Sequence, residues 1–417
     1  MIEYALTKNK HKVISSKTLL SNISIVLLCL LMFWSMYPWF FWYQRGLILN
    51  SLVILFIFSR IFFSQGKVVS HQLGIILWGF LLFSEMLFSE LSFSIVLRNM
   101  YSLLVLFFVV TMRDDEKIKI VKLITNLYAW IVGISLFCYI LVVFGGFNLP
   151  YSLIKLPDND YYGYFENYVF FLLPNEFRPF DRFQSIFVES GHLGMISALL
   201  LYLNNYELRK KEVFVIFLSV LFSFSLAAYV LLALGYFIRE IILILKKKIY
   251  VKILKLTLGL ALIVMAGMYI YDNYVDSMVS QLIISRLELD ENKGIVGNNR
   301  TSTLFDFYYD NNFRKSNALI FGIGPQQVQE AKLLGSVSNS GTSSYKVFIL
   351  QYGIAGIILL FIFYLSMVYY ARSEWLLGLF VLYCASFWQR PYALWEMELY
   401  LFIAAMALCN NKNTKIR

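Results

Sequence analysis

The chain has 417 residues, of which 59% are hydrophobic and 15% charged, with a formal net charge of +10. A soluble domain carries about 45–50% apolar and about 25% charged residues, so the composition excludes a water-soluble globular protein and points to lipid. The positive excess sits in short clusters between apolar runs, which excludes nucleic-acid binding as a main role.

A helix needs about 20 apolar residues to cross the hydrocarbon core of a bilayer. On that measure spans are predicted near 18–40, 46–64, 72–88, 92–112, 120–145, 184–204, 213–226, 228–246, 252–271, 344–371, 374–388 and 397–410. Only "SFSLAAY" separates the seventh from the eighth, so one long broken segment is the alternative there. The run that follows Lys8–Lys17 is too long for a signal-peptide core and lacks a small-residue cleavage site. Lysine and arginine in short loops mark the cytoplasmic side of a membrane. The N-terminal lysines are followed by basic residues at every second connection: Lys67, then Arg113, Lys117 and Lys119, then Arg209–Lys211, then Lys246–Lys248, then Arg372, and finally the tail. The expectation is an all-α integral membrane protein, a single polytopic domain over residues 1–417 with about 12 transmembrane helices and both termini cytoplasmic.

Two long connections, 146–183 and 272–343, fall on the outer side by this count. Loops of such length are usually functional. The first carries the aromatic stretch "NDYYGYFENYVFFLLPNE". The second opens with Val275, Met278, Val279, Leu282 and Ile283, the stripe of an amphipathic helix. Cys29, Cys138, Cys384 and Cys409 all lie in or at the end of apolar runs, so neither a disulfide framework nor a metal site is expected.

The segment "RPFDRFQSIFVESGHLG", 178–194, leads from the first outer loop into the sixth span. Continued as a helix, it would place Arg182, Ser185, Glu189 and His192 on one face, with Glu189 about two turns inside. Ionisable groups at membrane depth face a cavity or a partner, which makes Glu189 and His192 candidate proton-transfer groups. A structural ion pair and a satisfied interior histidine are the alternative. Arginine forks match phosphate oxygens bidentately, so Arg178, Arg182 and Arg300 are candidates for a diphosphate clamp, although all three also suit solvated or interfacial positions. Arg98, just inside the fourth span, is either a further contact of this kind or a snorkelling residue. Tyr161, Tyr162 and Tyr164 are candidate sugar-stacking rings, and an interfacial belt uses the same residue type.

In order and placement, "RFQSIFVESGHLG", "NRTSTLFDFYY…IFGIGP" and "YKVFILQYGIAG" resemble the motifs of the bacterial O-antigen polymerase and O-antigen ligase superfamily. The resemblance implies a bundle like that of the membrane glycosyltransferases, with two large periplasmic loops, in the bacterial inner membrane. It further implies metal-independent transfer of glycan from an undecaprenyl-diphosphate carrier with no cofactor, and a chain-length regulator protein as an accessory partner. In that reading Glu189 is the general base, with His192 as its rival. Arg98, Arg178, Arg182 and Arg300 hold the diphosphate, and the tyrosines hold the glycan. Ligases of the superfamily carry a histidine where this chain has Thr342, Ser343 and Ser344, which favours a polymerase. A ligase acting on lipid A core and a lipid-linked oligosaccharide flippase remain the alternatives. Related halves and broken helices, which a transporter would show, are not legible in the chain.

Overall fold

A computed structural model describes residues 21–63, 70–88, 93–157, 163–175, 181–247, 303–333, 345–390 and 392–416, together with 269, 289–290 and 294–295. The apolar runs fold as helices, because a helix satisfies every backbone polar group within its own segment. These are α1 (Ser21–Ser35), α2 (Arg45–Phe63), α3 (Ser70–Phe88), α4 (Phe93–Thr111), α5 (Asp114–Val143), α6 (Ser190–Leu203), α7 (Lys211–Phe222) and α8 (Leu226–Lys247). After the second long connection come α11 (Tyr345–Ala371), α12 (Glu374–Gln389) and α13 (Glu396–Ile416), preceded within that connection by the short helices α9 (Thr303–Asn311) and α10 (Pro325–Leu333). The spans predicted at 213–226 and 228–246 are two helices, parted at a turn where Phe224 takes a φ of 42°. The span predicted at 252–271 and the amphipathic stripe at 275–283 lie outside the described residues.

Among the described residues, three helices are long and apolar enough to cross a membrane: Asp114–Val143, Leu226–Lys246 and Tyr345–Ala371. Large apolar side chains also stand outward along the bundle, among them Phe58, Phe62, Trp130, Phe137 and Tyr369. A soluble monomer does not spread so much apolar surface, and in lipid this surface is the stable one. The protein is a predominantly helical membrane protein.

The centre of the bundle is α6. Its residues Gly191–Leu203 are all buried, and it packs against α7, α8, α12 and α13. One end of the bundle is tied by Glu116 at the start of α5, which accepts from Arg60 Nη1 of α2 at 3.1 Å and from Ser21 Oγ of α1 at 2.6 Å. At the other end Ser35, closing α1, receives Trp395 Nε1 on its carbonyl and the Met397 amide on its hydroxyl.

The all-α expectation needs one correction. The first long connection folds into an antiparallel sheet of β1 (Ser152–Lys155), β2 (Tyr164–Asn167) and β3 (Leu172–Pro174), in the order β1-β2-β3. Register sets Ser152 opposite Asn167 and Phe165 opposite Pro174. A small core of Trp42, Phe165, Leu172 and Val188 fastens the sheet to the 3-10 turn Trp39–Gln44 and to the approach to α6. A two-stranded pairing, β4 (Leu289–Asp290) with β5 (Gly294–Ile295), lies in the second connection.

A second departure from the sequence reading is a break in α11. Gly353 has φ 66° and ψ −171°, a backbone conformation that is essentially confined to glycine. The turn 320–324 fills the gap. Ile323 N–H donates to Leu350 O, Gly324 N–H to Gln351 O, and Ala355 N–H to Ile320 O. The "FGIGP" and "YKVFILQYGIAG" motifs, some twenty residues apart in the chain, are thus two halves of one structure.

Candidate active site

The helical stripe read from "RPFDRFQSIFVESGHLG" does not form. Residues 181–189 run as non-helical chain and α6 begins only at Ser190, so Glu189 is the N-cap of α6, with φ −142° and ψ 144°, not a residue two turns inside. Neighbouring elements claim the backbone groups that a helix would have needed. Phe183 N–H donates to Phe222 O, Ser185 O accepts from Leu172 of β3, and Ile186 O accepts from Trp39. Ser185 also takes a φ of 55° and donates to Ser135 Oγ of α5 at 2.8 Å.

Unwinding this segment turns Glu189 towards the 390–395 connection between α12 and α13, where its carboxylate forms an ion pair with Arg390 Nη2. The Arg390 side chain is 6% exposed and the Glu189 side chain 21% exposed, so the pair is partly screened from water, with its carboxylate side open. Burial alone would weaken the guanidinium charge. The Glu189 carboxylate and Tyr392 more than offset this and hold the Arg390 pKa above its ordinary value. Arg390 Nη1 also donates to Tyr392 Oη at 3.4 Å, and that hydroxyl lies 2.8 Å from His192 Nε2. Which of these two atoms carries the proton between them depends on the histidine tautomer. Trp395 flanks both rings. The structure therefore brings Glu189 and His192 together, but through Arg390 and Tyr392, not along a helix face.

Two details make this arrangement specific. Any side chain at Gly191 would meet the Arg390 guanidinium, since a Cβ there would lie 2.4 Å from Nη2. The connection is also anchored, because the Ala393 carbonyl accepts from Tyr364 of α11 at 3.2 Å and from Tyr383 of α12 at 2.9 Å.

The other expected residues are distributed differently. Arg182 is half-buried and within electrostatic reach of Tyr229 in α8. Arg178, Arg300, Tyr161 and Tyr162, and the Thr342–Ser344 stretch, lie outside the described residues. Tyr164 opens β2 with its ring exposed. The packed tyrosine of this loop is Tyr168, which stacks on Phe171 and donates to Glu166 Oε2 at 2.9 Å; burial and the Glu166 carboxylate raise its pKa. Arg98 lines a cavity of about 510 Å³ between α2, α4 and the start of α11, whose polar lining includes Asn50, Asn99, Ser102, Gln351 and Glu396. Among the described residues no group of three histidine, cysteine or carboxylate side chains could hold a metal ion.

Arg390 and Tyr392 were missed by sequence reasoning. The available signal was an arginine in a short connection that the charge alternation assigns to the outer side, where basic residues are depleted. Comparison with protein families, with curated proteins and with solved structures finds no match to the chain.

Proposed function

We propose that this protein is a metal-independent glycosyltransferase, a polymerase that joins undecaprenyl-diphosphate-linked oligosaccharide repeat units at the periplasmic face of the bacterial inner membrane. The observation that carries this reading is the partly screened Glu189–Arg390 pair, coupled to His192 and Tyr392 at the loop-bearing end of the bundle. Transfer to a sugar hydroxyl requires a proton acceptor and a stabiliser of the departing anion. Glu189 takes the proton from the acceptor hydroxyl as general base. The acceptor oxygen then bonds to the anomeric carbon, while the bond from that carbon to the diphosphate oxygen breaks and its electron pair leaves with the lipid diphosphate. Arg390 keeps the Glu189 carboxylate charged and oriented, and the role assigned to Arg182, seven residues before Glu189 in the chain, is to offset the charge on the leaving group. His192 and Tyr392 form a second proton route into the same place.

One observation favours a carrier: α11 is discontinuous at Gly353, as helices of transporters often are. Its freed backbone groups are, however, taken by the 320–324 turn of the same chain, which suits a fixed scaffold better than a moving gate. The deciding experiment is incubation of the purified full chain in detergent with lipid-linked single repeats. A polymerase lengthens the glycan there, whereas a flippase, with no bilayer to move it across, leaves it unchanged. A deletion strain separates polymerase from ligase. Polymerase loss leaves single repeats on their final anchor, and ligase loss leaves long chains stranded on the carrier.

A further inference from the structure

The cavity beside α4 stands apart from the Glu189–Arg390 pair but shares a wall with it. Ala393 and Leu394 of the cavity lining belong to the same connection that carries Arg390 and Tyr392, and Glu396 opens α13 directly after it. At about 510 Å³ it falls within the roughly 300–1,000 Å³ usual for ligand pockets. Its lining mixes two chemistries. Arg98, Asn99 and Ser102 lie within two turns of α4 and supply donors, while Val53 of α2, Phe83 of α3 and Val105 of α4 supply apolar surface.

Asn99 is the telling residue. Its side chain is more than nine-tenths buried, it lines the cavity, and its Nδ2 has no hydrogen-bond partner among the described residues. An unmet buried donor is costly, a cost removed when a ligand oxygen accepts from it. Beside it stands the guanidinium of Arg98, which is matched by geometry and charge to phosphate oxygens. Glu396 on the lining repels an anion, and the groups that attract one, Arg98 and Asn99, both belong to α4.

We propose that this cavity binds one phosphate-headed lipid, with its head on Arg98 and the Asn99 amide and its hydrocarbon chain against Val53, Phe83 and Val105. Two sources supply that chemistry, a bilayer phospholipid and a prenyl-phosphate carrier. Either occupant would abut the connection that positions Arg390 and Tyr392, and thereby brace the pair. The proposal does not rest on the transferase reading, since binding is measured without turnover.

The test is native mass spectrometry of the purified full chain, with phosphatidylglycerol, farnesyl diphosphate, farnesol and inorganic diphosphate as separate probes. The expected result is one saturable lipid per chain, with farnesol and inorganic diphosphate each binding at least ten-fold more weakly than the better of the two lipids. Preference for phosphatidylglycerol identifies a bilayer lipid, preference for farnesyl diphosphate a prenyl carrier, and either supports the site. Arg98→Glu, at an exposed position, and Asn99→Asp, nearly isosteric, should each weaken binding at least ten-fold. Ser102→Trp should block it by filling the cavity. Arg98→Glu and Asn99→Asp eluting as wild type and binding the lipid at wild-type strength would overturn the proposal, as would inorganic diphosphate binding as tightly as either lipid. Under the same conditions Glu189→Gln should keep lipid binding whatever happens to transfer, which separates failure of this site from failure of the transferase reading.

Discussion

Replacing the Glu189 carboxylate tests two roles at once, because it faces a buried arginine. Glu189→Gln removes the proton acceptor, and glycan transfer should fall by about 10²–10⁴-fold if Glu189 is the general base. The same change leaves Arg390 without its counter-charge, and breaking a buried pair from one side costs up to about 3–5 kcal/mol. The two effects separate in a double variant. Glu189→Gln combined with Arg390→Gln should recover much of the lost thermal stability while transfer stays lost. Recovery of both would reduce the pair to scaffolding. His192→Gln should be milder than Glu189→Gln, and the reverse order would move the base to His192. Gly191→Ala approaches the pair differently. Its methyl group would push the guanidinium off Glu189, and because that guanidinium ends a flexible side chain, the fold should survive. Activity should drop, and the melting temperature should fall no further than it does in Glu189→Gln.

At the scale of elements, the two ends of the bundle hold ion pairs of different character. Arg60 and Glu116 are both almost fully buried and join α1, α2 and α5 far along the chain from Glu189. Glu116→Ala should therefore destabilise the protein by about 3–5 kcal/mol, seen as a lower melting temperature, while the rate per folded molecule stays near wild type. A fall in that rate with stability intact would mean that this end of the bundle also takes part in turnover. The break in α11 makes a parallel case. At Gly353 a Cβ would lie 2.1 Å from the Ile320 carbonyl oxygen, and the backbone conformation itself costs a residue other than glycine about 1–3 kcal/mol. Gly353→Ala should expel the 320–324 turn and sharply lower the yield of folded protein.

The orientation of the whole molecule rests on the basic short loops. The bundle keeps the Glu189–Arg390 pair, the three-stranded sheet and the Trp395–Ser35 contact at one end, and Arg60 with Glu116 at the other. In a background without Cys29, Cys138, Cys384 and Cys409, a single cysteine at Asn311 should react with an impermeant reagent in intact cells. One at Glu207 should react only after the membrane is broken. The opposite pattern would invert the molecule and remove the periplasmic assignment with it.

Hydropathy alone located the helices that the described residues form, to within a few residues at their ends, because in lipid a run of about 20 apolar residues has no other way to satisfy its backbone. The sequence also singled out Glu189 and His192, since ionisable groups are costly near lipid. Their partners, Arg390 and Tyr392, emerge only from the packed fold. Spacing rules assume that a helix continues, and they see neighbours within a turn or two. The 181–189 segment leaves the helix because Leu172, Trp39 and Phe222 compete for its backbone hydrogen bonds. Arg390 reaches Glu189 across some two hundred residues because α12 packs beside α6. The gap at Gly353 is legible only once the turn that fills it is in place. Each is a long-range pairing set by packing between elements, and no local pattern of residue types encodes it.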